Sequence, residues 1–375
     1  MRNDSCGKSR SKRTACLGVF VACTAMMASF ALGAQTILYV SQVGPITRNG
    51  AGEIGAYDLA SGSSITGANP FIIDAYSPTC LAIAGGELYA VQSDQNFVSK
   101  YDGKTGAIVN EGFIQSGLSG PYGIAISGNT IFVANEQTQT IGEYNLSDGS
   151  VINAALIQLP YTNYGSRITL ASSGTDLFET NDSFNTVGKY TIFGGSGNAN
   201  FITGLSNPKG IAVSGNELFV ANSTANTIGE YSTTTGNAIN ANFITSGLNN
   251  PQNLLVSGEN LYVVNYGNGT VSRYNINNPA EMDTTFIQGL SRPIGIAVYT
   301  YVTLSTPSPV SPTPIQVTLS PTPLPPRTPP PPASPPPSQW VVPLPLPLAI
   351  VIVVIVVIIG LATYGWIATK RSGSG

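Results

Sequence analysis

The residues of this chain that could do chemistry are amides, scattered carboxylates and a few cations. Histidine is absent, which excludes Ser-His-Asp and Cys-His nucleophile systems and any histidine-ligated metal site. Cys80 is the single cysteine beyond the apolar N-terminal segment. It has no partner for an internal disulfide, and we interpret it as a small buried strand residue. The composition favours binding through hydrogen bonds over covalent catalysis.

Side-chain amides recur at similar places along the chain. They are Gln42, Gln92, Asn135, Asn181, Asn222 and Asn265. A ring of amides can orient the hydroxyl or carbonyl groups of a ligand. The preferred alternative is that each amide fixes a turn through a side-chain to backbone bond, because a residue that is repeated in every copy usually has the same structural role in every copy.

Residues that depart from the repeat are better candidates for contacts with a ligand. Arg167 replaces a glycine found in other copies, and Glu179 takes the position of Val220. Either these opposite charges pair and hold a degenerate copy together, or Arg167 faces a ligand. Other unusual neighbours are Tyr122, Tyr161, Tyr164, Lys209, Gln252 and Asn253. The candidate ligand contacts are Tyr122, Arg167, Glu179, Asn181, Asn222, Asn253 and Asn265, a set that suits a sugar or a peptide.

An internal repeat must position these residues. A tyrosine that closes a β-branched run recurs at Tyr57, Tyr101, Tyr144, Tyr190, Tyr231 and Tyr274. A large apolar residue before isoleucine recurs at Phe71, Phe113, Leu156, Phe201, Phe243 and Phe286. A turn that opens each copy recurs at Pro78, Pro121, Gly165, Pro208, Pro251 and Pro293. Each copy contains four short runs separated by Gly, Asn and Ser, which predicts four-stranded meanders.

The phase of the two ends predicts a closed ring. The array begins at Ile37 with a second strand and finishes after Pro293 with a first strand that nothing follows. The last strand therefore supplies what the first copy lacks, and such closure removes an exposed sheet edge. We predict an all-β, six-bladed β-propeller over residues 35–305, in which the C-terminal first strand pairs with the N-terminal strands.

The repeat resembles the NHL and YVTN-type propeller repeats. The resemblance rests on Pro208-Lys209-Gly210-Ile211-Ala212-Val213, on Leu218-Phe219-Val220-Ala221-Asn222 and on Asn226-Thr227-Ile228. It covers roughly Ile37 to Thr303. NHL copies usually carry Asp where this chain has Asn222 and its equivalents, whereas the YVTN type favours Asn. The resemblance implies a propeller that binds ligands or proteins, not one activity.

Two enzyme interpretations follow from propellers of similar layout. Gluconolactonase-type propellers hold a divalent metal such as Ca²⁺ through carboxylates and amides. Of the carboxylates near the relevant strand ends, only Glu179 is a candidate, because Asp94, Glu136 and Asp182 are expected to be exposed loop residues. Streptogramin-lyase-like propellers use a histidine, which this chain lacks. We expect no enzyme activity and no cofactor, with a Ca²⁺-dependent lactonase-like hydrolase as the alternative.

Both ends of the chain predict export and anchoring. Residues 1–34 have a basic start, an apolar run and small residues before Gln35, as in a signal peptide. Residues 306–347 are rich in proline and predict an extended linker. Residues 348–368 are apolar and uncharged, which predicts a transmembrane helix, and residues 369–375 form a short basic tail that is expected to be cytoplasmic.

The tail layout also resembles the PEP-CTERM type of bacterial sorting tail. It has Val342-Pro343-Leu344-Pro345, an apolar helix and Lys370-Arg371, but it lacks the acidic residue of that motif. The helix either stays as a permanent anchor or is processed by a sorting enzyme.

Charge limits the partners of the globular part. Residues 35–305 carry 18 acidic and 8 basic side chains, and an acidic body disfavours nucleic acid. The sequence therefore predicts an extracytoplasmic, membrane-tethered propeller that acts as a binding module for a glycan, a peptide or a protein. A structural envelope protein without a specific ligand is the remaining alternative.

Overall fold

The computed structural model describes residues 32–43, 52–67, 71–161 and 165–304. These residues form six antiparallel four-stranded sheets, so the chain is the predicted six-bladed, all-β propeller. We number the strands β1–β24 along the chain and the blades from 1 to 6, starting at Pro78.

The blades have the following strands. Blade 1 contains β4 (Pro78–Ala84), β5 (Glu87–Gln92), β6 (Phe97–Asp102) and β7 (Ile108–Ile114). Blade 2 contains β8 (Pro121–Ser127), β9 (Thr130–Asn135), β10 (Thr140–Asn145) and β11 (Val151–Gln158). Blade 3 contains β12 (Leu170–Ser173), β13 (Asp176–Asn181), β14 (Thr186–Thr191) and β15 (Asn198–Ile202). Blade 4 contains β16 (Pro208–Ser214), β17 (Glu217–Asn222), β18 (Thr227–Ser232) and β19 (Ala238–Ile244). Blade 5 contains β20 (Pro251–Ser257), β21 (Asn260–Asn265), β22 (Thr270–Asn275) and β23 (Met282–Ile287). Blade 6 contains β24 (Pro293–Leu304), β1 (Leu32–Gln42), β2 (Gly52–Asp58) and β3 (Ile72–Ala75).

Both faces of each second strand are buried, which explains its continuous apolar run. In β17, every residue from Leu218 to Asn222 is buried, because a blade packs against a neighbour on each side. Within the blade, the ring of Phe219 on β17 meets that of Phe243 on β19 at 5.3 Å between centroids. The same second-to-fourth strand contact recurs at Tyr89 and Phe113, 5.5 Å apart. The repeated aromatic residue of the fourth strand therefore seals the outer part of the blade.

The third-strand tyrosines of blades 2 and 5 link neighbouring blades. The Tyr144 hydroxyl in blade 2 donates to the carbonyl of Gly117, 2.8 Å away in the loop that follows blade 1. Tyr274 in blade 5 bonds the Ser246 carbonyl after blade 4 in the same way, also at 2.8 Å. A Cβ atom at Gly142 would lie 2.6 Å from the Tyr144 hydroxyl oxygen. In blade 2 the glycine two residues before the tyrosine therefore leaves room for the ring, whereas blade 5 has Ser272 at this position.

Strand β24 at the C-terminal end of the described chain pairs antiparallel with β1. The register places Ala297 opposite Tyr39 and Ile296 opposite Val40. Ile294 packs in the core of blades 1 and 2, and Ile296 packs with Tyr262 of blade 5. The pairing gives blade 6 strands from both ends of the described part of the chain.

The predicted terminal segments fall almost entirely outside the described residues. Strand β1 begins at Leu32, just before the predicted signal-peptide boundary at residue 34. The rest of that segment, the proline-rich linker, the predicted transmembrane helix at 348–368 and the tail at 369–375 lie outside the described ranges. Within those ranges, no helix has the length and apolar character needed to cross a membrane.

Candidate functional site

The candidate site is one end of the central channel, where second strands finish and first strands begin. The register brings these points together, because Pro121 pairs with Asn135 and Pro208 with Asn222. We call the group of side chains here the mouth cluster. It consists of Tyr122, Glu136, Arg167, Asp182, Lys209 and Gln252.

Arg167 is the centre of the mouth cluster. Its Nη1 donates to Oε1 of Gln252 at 3.3 Å, and its guanidinium carbon lies 5.8 Å from the centroid of the Tyr122 ring. The backbone amide of Arg167 donates to Oδ1 of Asp182 at 3.1 Å. A guanidinium that stacks on an aromatic ring and bonds an amide is held in one orientation. Arginine carries five N–H donors, and Gln252 accepts from one of the guanidinium nitrogens.

The place of Arg167 in the repeat differs from the prediction. Leu170 pairs with Glu179 as Ile124 pairs with Val133, so Arg167 occupies the position of Pro121 and not that of a glycine. The predicted start of this first strand at Gly165 is therefore wrong by two residues. The sequence between Ile157 and Arg167 is longer than that between Ile114 and Pro121, and this insertion shifts the alignment.

The exposure of Glu136 and Asp182 also differs from the prediction. Both were expected to be exposed loop residues, but both are half-buried at the mouth. Burial raises the pKa of Glu136 to about 7, the charge of Arg167 opposes this shift, and Asp182 adds to it. Oε1 of Glu136 is buried without a hydrogen-bond partner among the described residues. Each carboxylate directly follows the asparagine that ends a second strand, a spacing that could have pointed to the mouth. Asp94 is exposed as predicted.

Lys209 brings a second cation to the mouth. It is half-buried, and its pKa is lowered by burial first and then by the positive charge of Arg167, while Asp182 acts in the opposite direction. In the described part of the chain, neither Lys209 nor Arg167 forms an ion pair. The ion pairs that do occur there join Lys100 to Glu87, Lys189 to Asp176, and Arg273 to Asp283.

Glu179 does not belong to the mouth. It is fully buried in the middle of β13, where Tyr161 donates its hydroxyl to Oε1 at 2.8 Å. Burial raises the pKa of Glu179 to about 8, and the bond from Tyr161 opposes the shift. The expected pairing of Glu179 with Arg167 is therefore wrong, and Glu179 cannot contact a ligand in the channel. Tyr164 lies outside the described residues.

The repeated amides hold loops in place. Asn222 Oδ1 accepts from the backbone amide of Ser206 at 3.1 Å, and Asn265 Oδ1 accepts from Asn249 at 3.0 Å. Asn181 Oδ1 accepts from the amides of Ser183 and Phe184 at 3.1 and 3.0 Å. All three asparagines are buried, so the turn-fixing alternative describes them, and we leave them out of the candidate site.

Below the mouth, the channel is narrow, and first strands that carry a polar residue alternate with first strands that carry a glycine. Small polar residues at Cys80, Thr169 and Asn253 line a cavity of about 210 Å³ together with apolar side chains. The strands between them carry Gly123, Gly210 and Gly295, where a Cβ atom would lie within 2.1–2.7 Å of the next strand's backbone. The amide of Asn253 reaches the Cys80 sulfur at 3.7 Å. Burial raises the pKa of Cys80 to about 12, so this thiol is a poor nucleophile.

The described residues hold no group of three or more Cys, Asp or Glu side chains that could bind a metal ion. The placement of Glu179 inside blade 3 also removes the carboxylate on which the predicted Ca²⁺ alternative depended. Glu136 and Asp182 are the carboxylates that remain near the channel.

Comparisons with known proteins support the fold alone. No family model matches the chain, and no curated protein matches its sequence. A chain in the "Crystal structure of Nidogen/Laminin Complex" is similar, with a TM-score of 0.56 and 17% identity, over 70% of this chain and 98% of that one. A computationally designed protein, Ika8, gives a TM-score of 0.42 and 13% identity over 65% of this chain and 71% of its own. The first likeness is consistent with the six-bladed propeller.

Proposed function

We propose that the protein is a non-catalytic binding module whose channel mouth receives a glycan, a peptide or a segment of a protein. The observation that carries the proposal is the pair of half-buried cations, Arg167 and Lys209, without ion-pair partners in the described chain. Half-buried charges without a counter-charge in contact are costly, and an anionic or polar ligand would supply such a contact.

A protein partner has a separate line of support. The similar propeller is named in the structure of a complex between nidogen and laminin, so one propeller of this architecture occurs in a protein–protein assembly. The identity is too low for that partner to be transferred. What carries over to the proposal is that a chain of similar fold occurs in a protein–protein complex.

The proposal includes the setting of the ring. The apolar N-terminal segment supports export, and the uncharged stretch at 348–368 followed by Lys370 and Arg371 supports a membrane anchor with the ring outside. The repeat motifs support an NHL or YVTN-type origin. We infer that the pairing of β24 with β1 closes the ring, which leaves no open sheet edge between the first and last blades.

The test is a binding screen with the full chain purified in detergent micelles. Arrays of oligosaccharides and of short peptides are probed with the natural chain, with the double variant R167Q/K209Q and with the control K104Q, in which an exposed lysine of the β6–β7 turn is changed. We expect binding that the double variant loses and the control keeps. Equal binding by all three chains would place recognition elsewhere, and Ca²⁺-dependent lactone hydrolysis would replace the proposal by the enzyme alternative.

A second experiment addresses the setting. Intact cells carrying a tag at each end of the chain are treated with protease from outside. We expect release of the ring while the C-terminal tag stays protected. A C-terminal tag that is missing before protease is added would indicate processing by a sorting enzyme, and a protected ring would contradict export.

A further inference from the structure

We propose that the mouth cluster recognises a single carboxylate group, held between Arg167 and Lys209. The inference rests on the proposed function and specifies the chemistry of its ligand. A carboxylate of this kind occurs on a uronic acid and at the C-terminus of a peptide, and the experiment below separates these two sources.

The first reason is the proximity of two cations on adjacent first strands. Arg167 precedes β12 and Lys209 lies at the start of β16, and the two strands are neighbours around the channel. The Thr169 hydroxyl bonds the backbone carbonyl of Lys209, which ties the two strands together. The two side chains are close enough for the charge of Arg167 to disfavour the charged form of Lys209. An anion between them would relieve this repulsion.

The second reason is that Arg167 is already oriented. Tyr122 lies under the guanidinium, and Gln252 accepts from one of its nitrogens. Gln252 is itself held, because its Nε2 donates to Oδ1 of Asn250 at 2.7 Å. A planar guanidinium fixed in this way matches a carboxylate with two parallel hydrogen bonds. Binding would therefore require little reordering of side chains.

The third reason is the charge balance, which favours a monoanion over a dianion. Asp182 and Glu136 face the same mouth, and Oδ1 of Asp182 is occupied by the backbone amide of Arg167. Near neutral pH, Glu136 is only partly ionised, because burial raises its pKa to about 7. Two cations therefore meet between one and two negative charges, so the mouth keeps a net positive charge of less than one, which a monoanion offsets more closely than a dianion does. A phosphate with two charges would be repelled by both carboxylates and by the acidic body of the ring.

The fourth reason is geometric. The cavity below the mouth measures about 210 Å³, and Cys80, Thr169 and Asn253 are among the residues that line it. A space of this size does not admit a whole sugar or peptide residue together with its hydration. The ligand would therefore lie at the mouth, with the carboxylate as its innermost group.

The experiment measures binding by calorimetry to the full chain in detergent micelles. The probes are glucuronate, glucose, the peptide Ala-Ala-Ala with a free C-terminus, the same peptide as its C-terminal amide, and inorganic phosphate. We expect at least one free acid to bind about tenfold or more tightly than its neutral counterpart and than phosphate. Preference for glucuronate indicates a glycan source, and preference for the free peptide indicates a peptide C-terminus.

Three variants locate the site. R167Q and K209Q should each weaken binding of the preferred acid about tenfold or more, whereas K104Q should leave it unchanged. E136Q should strengthen binding several-fold, because it removes a negative charge beside the ligand, a gain that a merely structural role of Glu136 would not produce. Thermal unfolding of each variant verifies that the ring is intact.

The outcomes separate this inference from the proposed function. If neutral sugars or amidated peptides bind as well as the acids and R167Q weakens both, the mouth is a binding site but the carboxylate assignment is wrong. Tighter binding of phosphate than of either acid overturns the monoanion argument. If no probe binds, and the array screen also finds no ligand that depends on Arg167 and Lys209, both proposals fail together.

Discussion

Blades 3 and 4 share a strand layout but bury different chemistry at one position. In blade 4, Val220 is fully buried at the centre of β17. In blade 3, Glu179 is fully buried at the equivalent place in β13, since Glu179 pairs with Gly188 as Val220 pairs with Gly229. The same backbone therefore holds an aliphatic side chain in one blade and a carboxyl group in the next.

The carboxyl group is tolerated because blade 3 changes more than one residue. Tyr161, in the longer loop before blade 3, bonds Glu179 and also the carbonyl of Ala199 at 3.1 Å. Its ring stacks on Phe184, 4.8 Å away between centroids. The second carboxyl oxygen of Glu179 has no partner within the described ranges. A buried acid is thus only partly compensated, which makes blade 3 the place where stability should depend most on pH.

The largest expected effect comes from placing a glutamate in blade 4, at the position equivalent to Glu179 but without the bond from Tyr161. Val220→Glu should lower the free energy of unfolding by about 4 kcal/mol, because the carboxyl group would be buried without the bond from Tyr161 that compensates Glu179. Urea unfolding followed by circular dichroism measures the change. The matched control is Val302→Glu on β24, a valine that is 60% exposed, where we expect a change below about 0.5 kcal/mol. Similar losses of unfolding free energy in the two variants would show that a carboxyl group costs no more inside the blade than on its surface.

A smaller effect should appear as a pH dependence carried by Glu179. The folded chain keeps the Glu179 proton up to a pKa of about 8, whereas the unfolded chain loses it near the ordinary value of 4.5. Between these values the folded state binds more protons, so stability falls as pH rises, by about 1.4 kcal/mol per pH unit from this group. Stability is constant with respect to this group below the unfolded value and again above the folded one.

The measurement compares unfolding free energies of the natural chain and of E179Q from pH 5 to pH 7.5. The difference between the two slopes isolates Glu179, because Glu136 contributes a loss of the same sign to both chains. Tyr161→Phe removes the bond that lowers the pKa of Glu179, so in this variant the loss should extend to higher pH. Parallel slopes for the natural chain and E179Q would contradict the burial of an ionisable group at this position.

The smallest expected effect concerns the asparagines that end β13 and β17. Asn222 bonds the amide of Ser206 in the loop before its own blade, whereas Asn181 bonds Ser183 and Phe184 in the turn that directly follows it. Asn222→Ala should cost about 1 kcal/mol and speed hydrogen exchange at Ser206 roughly fivefold. Asn181→Ala should instead speed exchange at residues 183 and 184. Unchanged exchange at Ser206 in N222A would mean that the amide does not hold that loop.

Much of the fold could be predicted from the sequence, because local patterns set it. The tyrosines at 144 and 274 make the same contact between blades, and fourth-strand aromatic residues meet second-strand rings. Pro121 and Pro208 each pair with the asparagine that ends the second strand. A residue that makes the same contact in several copies leaves a periodic signal that needs no coordinates.

The candidate site could be predicted only in part. Tyr122 and Arg167 were expected at the mouth and do lie together there, but Glu136 and Asp182 were misjudged as exposed. The sequence placed Glu179 correctly at the position of Val220. It also predicted that Glu179 contacts a ligand at the mouth, whereas the side chain is buried inside blade 3. The sequence position of a residue on a strand does not show how deeply its side chain is buried, because burial depends on the neighbouring blade. A residue that departs from the repeat also has no equivalent in another blade from which its surroundings could be inferred.

The sequence by itself determined the number of blades, their strand order and the absence of histidine chemistry, because these depend on composition and on short-range periodicity. Only the tertiary structure decided which charges share the channel mouth. That grouping joins residues far apart in the chain, such as Arg167 and Gln252, and it depends on loop lengths and burial. The insertion before Arg167 moved the register by two residues, and packing between blades turned Glu179 from a candidate ligand contact into a buried acid.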